Sequence, residues 1–376
     1  MQHDITAATK RIPVTLVTGF LGSGKTTLIN KALHAPEMSK VVVVINEYGE
    51  VGLDHQLVAS SDDQVLVLEN GCLCCTVRSD LVGTLNGLYH DRASGRIPWF
   101  DRVVIESSGL AEPGPILQAF LSEPTLDGLF RVASVVTLVD AVNWKDTYER
   151  HDEAARQVAF ADKIIITKKD LVAQHFRKED LTRQLRKVNA TADISSIAWE
   201  TTNIAELLSQ EGFDPFNPDS DPRPWLQMQD HLGHDHHHDH DHDHDHDHDH
   251  DHEEHFHLHG KGVDSFVLLR DIPFSREELQ FLLDTITQNL GPGLLRVKGL
   301  VNIREEPGRP AVIQGAQHLL HTMTWLDHWP DGDQRSRIVF ITQGVVGTEL
   351  REMVETIARI SERTFKARER GRTLSS

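Results

Sequence analysis

Short apolar runs separated by mixed stretches set the rhythm of the first half of this chain. Val14 to Thr18, Val41 to Ile45, Val65 to Leu68, Val103 to Ile105, Val135 to Val139 and Ile164 to Ile166 are rich in β-branched residues. Continuous runs of that kind predict strands buried on both faces. Helical stretches separate several of them, the first from Thr26 to about Leu33. Strands alternating with helices predict an α/β domain with a mostly parallel sheet covered by helices.

The pattern fades near Phe213 to Pro218, and further prolines follow to Pro224. Order resumes near Val263. Asp264 to Leu269, Leu294 to Ile303, Ala311 to Leu319 and Arg337 to Thr342 read as strands. Ser275 and Glu278 have the spacing of a capping box for a helix to about Leu290, and Thr348 to Arg363 reads as a closing helix. The expected organisation is an α/β domain over 1–218, a linker over 219–262 and a smaller α+β domain over 263–376.

Charge changes this picture in one place. The chain carries −19, but Asp230 to His259 holds eleven acidic residues and no Lys or Arg, which leaves −8 for the rest. The acidity is local and there is no basic footprint, so no nucleic-acid partner is expected. No apolar run approaches the roughly 20 residues that span a bilayer, and Met1 to Arg11 has no secretory apolar core, so no membrane partner is expected either. All three cysteines fall between positions 72 and 75. Adjacent Cys74 and Cys75 pair badly and one cysteine remains over, so a reducing cytoplasm fits better than a disulfide framework.

Gly19-Phe20-Leu21-Gly22-Ser23-Gly24-Lys25-Thr26 matches the phosphate-binding loop Gly-x4-Gly-Lys-Thr, with a strand before it and a helix after it. Its glycines let successive N–H groups turn toward phosphate oxygens, and the following helix presents its positive end. Gly19, Gly22, Ser23, Gly24 and Thr27 belong to that cradle. Lys25 would neutralise β/γ-phosphate charge, and the Thr26 hydroxyl would bind Mg²⁺. After the strand Val103 to Ile105 comes Glu106-Ser107-Ser108-Gly109. A carboxylate there can reach the Mg²⁺ shell, with Glu106 in the place of the commoner Asp, and Gly109 can offer its N–H to the γ-phosphate. Thr167-Lys168-Lys169-Asp170 follows another apolar strand, in the slot that reads Asn-Lys-x-Asp in GTPases. Asp170 can accept two hydrogen bonds from guanine, whereas adenine has no such donor pair. Thr167 stands where Asn is usual and cannot make the same amide contacts.

Cys72, Cys74 and Cys75 supply up to three soft ligands on one loop, as flanking Gly71 and Thr76 suggest, and with one further group they would make a tetrahedral zinc set. The fourth ligand could come from Asn46 to Glu50, a client protein or water. Redox chemistry and packing as small hydrophobes are the other readings. His234, His236, His237, His238, His240, His242, His244, His246, His248, His250 and His252 alternate with carboxylates in a tract with no apolar face, expected to be disordered without metal. Such a tract would take Zn²⁺, Ni²⁺, Co²⁺ or Cu²⁺ with little discrimination, and release them below the imidazole pKa of about 6.5.

Together these residues resemble the CobW-type metallochaperone GTPases, which include zinc-regulated and zinc-transferase members. The resemblance covers nearly the whole chain. It rests on the phosphate loop, Ile45-Asn46-Glu47-Tyr48-Gly49, Gly71-Cys72-Leu73-Cys74-Cys75, Glu106 to Pro113 and Thr167 to Asp170. In the second domain, Leu294 to Gly299 and Val312 to Gly315 carry it. It implies a P-loop fold, slow hydrolysis of GTP with Mg²⁺, and delivery of Zn²⁺ (or Co²⁺) to a client apo-metalloprotein. It implies that Lys25, Glu47 and Glu106 serve catalysis, Glu47 in the first switch contacting the metal or positioning water. It also implies that Thr167, Lys168 and Asp170 hold the base. Runner-up readings are a dedicated activator of a cobalt or iron enzyme, such as nitrile hydratase or one in the cobalamin pathway, and a histidine-rich metal buffer.

Overall fold

The computed structural model describes residues 11–48, 65–70, 75–172, 177–210, 262–317, 319–320, 323–330, 332–345, 351–357, 359–360 and 363. The side chains of residues 46–48, 65–70 and 75–79 lie outside that description. The β-branched runs form β1 (Ile12–Gly19), β2 (Val41–Tyr48), β3 (Val65–Asn70), β4 (Arg102–Ser107), β5 (Phe130–Asp140) and β6 (Lys163–Thr167). A less apolar β7 (Asp193–Ser196) completes a seven-stranded, wholly parallel sheet in the order β3-β2-β4-β1-β5-β6-β7. Its helices are α1 (Lys25–Leu33), α2 (Cys75–Ala93), α3 (Pro113–Ser122), α4 (Pro124–Leu129), α5 (Trp144–Arg150), α6 (Asp152–Ala159), α7 (Lys178–Val188) and α8 (Ile204–Ser209).

Strand residues alternate between two cores. Val103, Ile105, Ile164 and Ile166 face one way with Leu85, Ala155 and Leu185 of α2, α6 and α7. Val104 and Ile165 face the other with Leu28 of α1 and Leu208 of α8. Parallel strands need that cover on both faces, which is why these runs are apolar throughout. From β1, at the centre, the chain passes over β4 to β2, while β5 lies on the opposite side. A reversal of this kind opens a crevice at the carboxyl ends of the strands.

The second half comprises β8 (Val263–Arg270), α9 (Arg276–Leu290), β9 (Leu294–Val301), β10 (Ala311–Ala316), β11 (Leu319–Leu320), β12 (Thr324–Trp325) and β13 (Ser336–Gln343). These strands form an antiparallel sheet in the order β11-β10-β9-β13-β8, with β12 also pairing β10. The capping box forms: Glu278 N donates to Ser275 Oγ at 3.1 Å and Ser275 N donates to Glu278 Oε2 at 2.8 Å. Leu279, Leu282, Leu283 and Ile286 of α9 pack on Phe266, Val297, Ile338 and Phe340. From the opposite face, Leu295, Leu300, Val312, Val339 and Ile341 join the core of the first half.

Three expectations change. Ala311 to Leu319 is not one strand: Gln317 takes a left-handed φ of 54°, and Leu319 turns back to pair with Ala316. The apolar run conceals that reversal because a glutamine, not a glycine, occupies the left-handed position. The strand expected to reach Ile303 stops at Val301. Cys75 opens α2, so the end of the cysteine motif is helical and not a loop. Cys72, Cys74, the histidine tract and the domain boundaries at 218 and 262–263 involve residues outside those described or adjoining them. The closing helix is seen over 351–357, 359–360 and 363. Among the described residues, no helix is long and apolar enough to cross a membrane.

Candidate functional site

The loop after β1 lines the crevice. Gly19 has a φ of 137°, and a methyl group there would lie 2.4 Å from the Leu138 carbonyl oxygen. Gly24, with a φ of 100°, is the N-cap of α1. Both positions exclude an unstrained L side chain, so the loop backbone can approach an anion closely. The buried Lys25 Nζ donates to the carbonyls of Gly19 at 2.9 Å and Phe20 at 3.3 Å. Its charge therefore sits inside the loop, against two of its carbonyls.

Thr26 Oγ1 donates to Glu106 Oε1 at 2.8 Å, joining the first turn of α1 to the end of β4. One residue on, Ser107 Oγ donates to Thr18 Oγ1 at 2.9 Å and fixes the ends of β4 and β1 together. A hydroxyl beside a carboxylate is a pair of hard oxygen donors, and it fits Mg²⁺. Gly109 then passes so close to the phosphate loop that a methyl group on it would lie 2.7 Å from Leu21 N. Its carbonyl and that of Ala111 both accept from Nε2 of the buried Gln157 on α6, each at 3.0 Å. Thr137 Oγ1 in turn donates to the Gln157 carbonyl at 2.9 Å.

At the end of β6, Thr167 is fully buried and its hydroxyl lies 2.8 Å from the Ser23 carbonyl and 3.2 Å from that of Val139. Threonine at this position ties β6 to the phosphate loop. Lys168 follows in a left-handed conformation, φ 58°, and pairs with Asp140 at 2.8 Å. Burial pushes the Asp140 carboxyl up, but hydrogen bonds from Lys168, Asn143 and the Val142 N–H outweigh it and hold the group below the usual carboxylate range. Asp170 stands exposed in the short turn Lys169–Leu171 that follows β6.

Sequence reasoning missed several contributors. Trp199, just beyond β7, would touch a methyl on Gly24 at 3.7 Å, beside Thr167 Cγ2 at 3.9 Å. Lys31 Nζ lies 5.4 Å from the Trp199 ring centroid. No motif flags that tryptophan. Asp140 could have been found, because it ends an apolar strand as Glu106 nearly does. Gln157 could not, since nothing in an amphipathic helix marks the one buried amide.

The cysteine motif and the segment from Asn46 are seen only through their backbone neighbours. β2 pairs with β4 up to Asn46 opposite Ser107, and with β3 up to Tyr48 opposite Asn70. Residue 47 pairs with Glu69, and β2 and β3 therefore run to their ends at Tyr48 and Asn70 on the same carboxyl side of the sheet as Glu106 of β4. The side chains of Glu47 and Cys75, with Cys72, Cys74 and His234 to His252, lie outside the described residues. Among the described residues no three His, Cys, Asp or Glu side chains gather around a metal position.

Two family profiles match the chain. The CobW/HypB/UreG nucleotide-binding domain covers residues 13–196, and the cobalamin synthesis protein CobW C-terminal domain covers residues 263–358. The zinc chaperone YjiA of Escherichia coli is 32% identical over 330 residues, 88% of this chain and 93% of its own. The zinc-regulated GTPase metalloprotein activator 1 of Dictyostelium discoideum is 26% identical, over 93% of this chain and 81% of its own. The crystal structure of Zn(II)-bound YjiA GTPase from E. coli aligns with a TM-score of 0.61 at 27% identity, covering 92% of this chain and 99% of that one. The crevice, its phosphate loop and both matched domains make this chain a member of the CobW family, a P-loop GTPase whose nucleotide-binding domain is followed by a CobW C-terminal domain.

Proposed function

We propose that this protein is a GTP-hydrolysing metallochaperone that binds Zn²⁺ through Cys72, Cys74 and Cys75 and transfers it to a client apo-metalloprotein, with the nucleotide state gating release. The observation that carries the reading is the ladder Ser107–Asn46 and Tyr48–Asn70. It couples the edge expected to sense the γ-phosphate to the segment that holds the thiols. The names of two relatives, a zinc chaperone and a zinc-regulated GTPase metalloprotein activator, support the choice of metal, and Co²⁺ and Ni²⁺ remain compatible with the same ligands. A reducing cytoplasm suits the thiolates, with residues 1–218 as the GTPase domain and 263–376 as the second.

In this reading the N–H groups of Gly22, Gly24, Lys25 and Thr26 hold the phosphates, while Ser23 N–H, which donates to the Phe20 carbonyl at 3.1 Å, closes the loop, and Lys25 exchanges loop carbonyls for phosphate oxygens. Thr26 and Glu106 would hold Mg²⁺, which would neutralise phosphate charge there. Gly109 donates its N–H to the γ-phosphate. Glu47 orients water, Asp170 reads guanine, and Lys168, steadied by Asp140, lies along the base beside Trp199. Loss of the γ-phosphate relaxes the segments after Asn46 and Glu106 and alters the thiolate geometry. By linkage, zinc must then change GTP affinity by the same factor as GTP changes zinc affinity.

Chelator competition on a variant lacking His234 to His259, with a non-hydrolysable GTP analogue or GDP, tests this. A difference in Zn²⁺ affinity of roughly 5- to 150-fold between the two states is expected, abolished by Cys72→Ser, Cys74→Ser and Cys75→Ser together. Equal affinities in both states would remove the gate.

A further inference from the structure

The second domain reaches the edge of the crevice through one arginine. Arg156, on α6, pairs with Glu112, three residues beyond Gly109. Its Nε donates to Gln343 Oε1 at the end of β13, at 2.7 Å. The next residue of the same helix, Gln157, holds the carbonyls of Gly109 and Ala111. Two consecutive residues thus grip the 109–112 segment, and one of them is fastened on its far side to the second domain. A separate contact acts on the helix into which that segment leads. Gln118 of α3 hydrogen-bonds Gln317, and a methyl group on Gly114 would lie 2.8 Å from Gln317 Nε2.

An isolated half-exposed ion pair contributes little, because solvent screens it and ordering two long side chains costs entropy. Arg156 differs in that Gln343 also holds its planar guanidinium, so less freedom is lost in the pair with Glu112. The arrangement needs the 109–112 segment, α6 and β13 in register at once. A displacement of the segment by about the width of a hydrogen bond breaks the Glu112 pair and leaves Arg156 on the second domain.

We propose that Arg156 is a positioning residue for GTP hydrolysis, which transmits the hold of the second domain to the Gly109 segment and favours the GTP-bound arrangement over the GDP-bound one. This rests on Gly109 as the γ-phosphate contact. The role of the second domain follows directly: its docking sets the nucleotide preference.

The test uses the full chain with Mg²⁺. Affinities for a non-hydrolysable GTP analogue and for GDP, and the single-turnover rate of GTP hydrolysis, are measured for wild type, Arg156→Ala, Arg156→Lys, Gln343→Ala and the Arg156→Ala/Gln343→Ala double variant. Arg156→Ala is expected to lower the analogue-to-GDP affinity ratio about fivefold or more, leaving GDP affinity within about twofold. Gln343→Ala, at the end of β13 in the second domain, is expected to move the ratio and the rate the same way. Arg156→Lys is expected to restore part of the loss, and the double variant to be no worse than Arg156→Ala alone. A wild-type ratio and rate in Gln343→Ala would overturn the proposal, as would equal loss of analogue and GDP affinity in Arg156→Ala. A wild-type chain that neither prefers the analogue nor hydrolyses GTP would instead overturn the functional reading and this proposal with it.

Discussion

Gly109 shows how much one residue of this site is asked to do. Its backbone abuts Leu21, its carbonyl is held by Gln157, and its N–H is the proposed γ-phosphate donor. A methyl group would lie 2.7 Å from both Leu21 N and Leu21 Cδ2, and the backbone contact cannot yield without moving the loop. Gly109→Ala is therefore expected to slow GTP hydrolysis tenfold or more while the far-UV circular dichroism stays native; an unchanged rate would detach Gly109 from the reaction. At this scale the sequence was most legible where one residue type is chemically compulsory. Gly19, Gly24 and Lys25 fall into this class, and the structure gathers them with Thr26 and Glu106. Thr167 was legible as a departure but not as a function. Its hydroxyl anchors the phosphate loop through the Ser23 carbonyl, a three-dimensional contact that spacing does not encode. Trp199 and Gln157 are in the same position.

Among the elements, legibility followed burial. The strands β1, β2, β4, β5 and β6 are buried on both faces and announce themselves as β-branched runs. β7 is short and half-exposed, Asp193-Ile-Ser-Ser, and its pairing with β6 supplies what its side chains do not. The β10–β11 hairpin was hidden because Gln317 turns the chain without a turn residue. Helix α9 was the reverse case, since its capping box is written in sequence and both reciprocal hydrogen bonds form. Replacing Ser275 with Ala should cost about 1 kcal/mol of stability in urea unfolding, with an unchanged slope, because one buried N–H loses its acceptor. A loss well under that would mean Glu278 alone carries the cap.

Across the whole molecule, the junction between the halves contains an uneven charge cluster. Asp162, just before β6, accepts from the Val135 N–H at 2.9 Å and from Arg296 at 2.6 Å, and also pairs with Lys298. Burial would raise its carboxyl, yet the two cations hold it down at about 2. Lys298 is pulled down to about 8 by burial and by Arg296, because two cations share one carboxylate. The depressed carboxyl contributes stability that is complete above the unfolded value of about 3.9 and is lost as pH falls toward 2. Asp162→Asn should therefore cost about 3–5 kcal/mol at pH 7 and flatten the acid limb of the stability profile, because it strands two cations. Lys298→Met should cost far less. Thermal unfolding of the three chains between pH 2 and 7 measures both, and equal losses in the two variants would refute the asymmetry.

The second sheet gives one face to its own helix and the other to the core of the nucleotide-binding half. Neither half is then a finished object. Each, taken alone, would present to water an apolar wall shaped for the other, as two pieces of one cut stone do. The two matched domains are separable as units of descent, but here they fold as complements, and a cut within residues 211–261 would leave the severed pieces seated together. In such a molecule the boundary between domains is a feature of the chain's history, not of its physics.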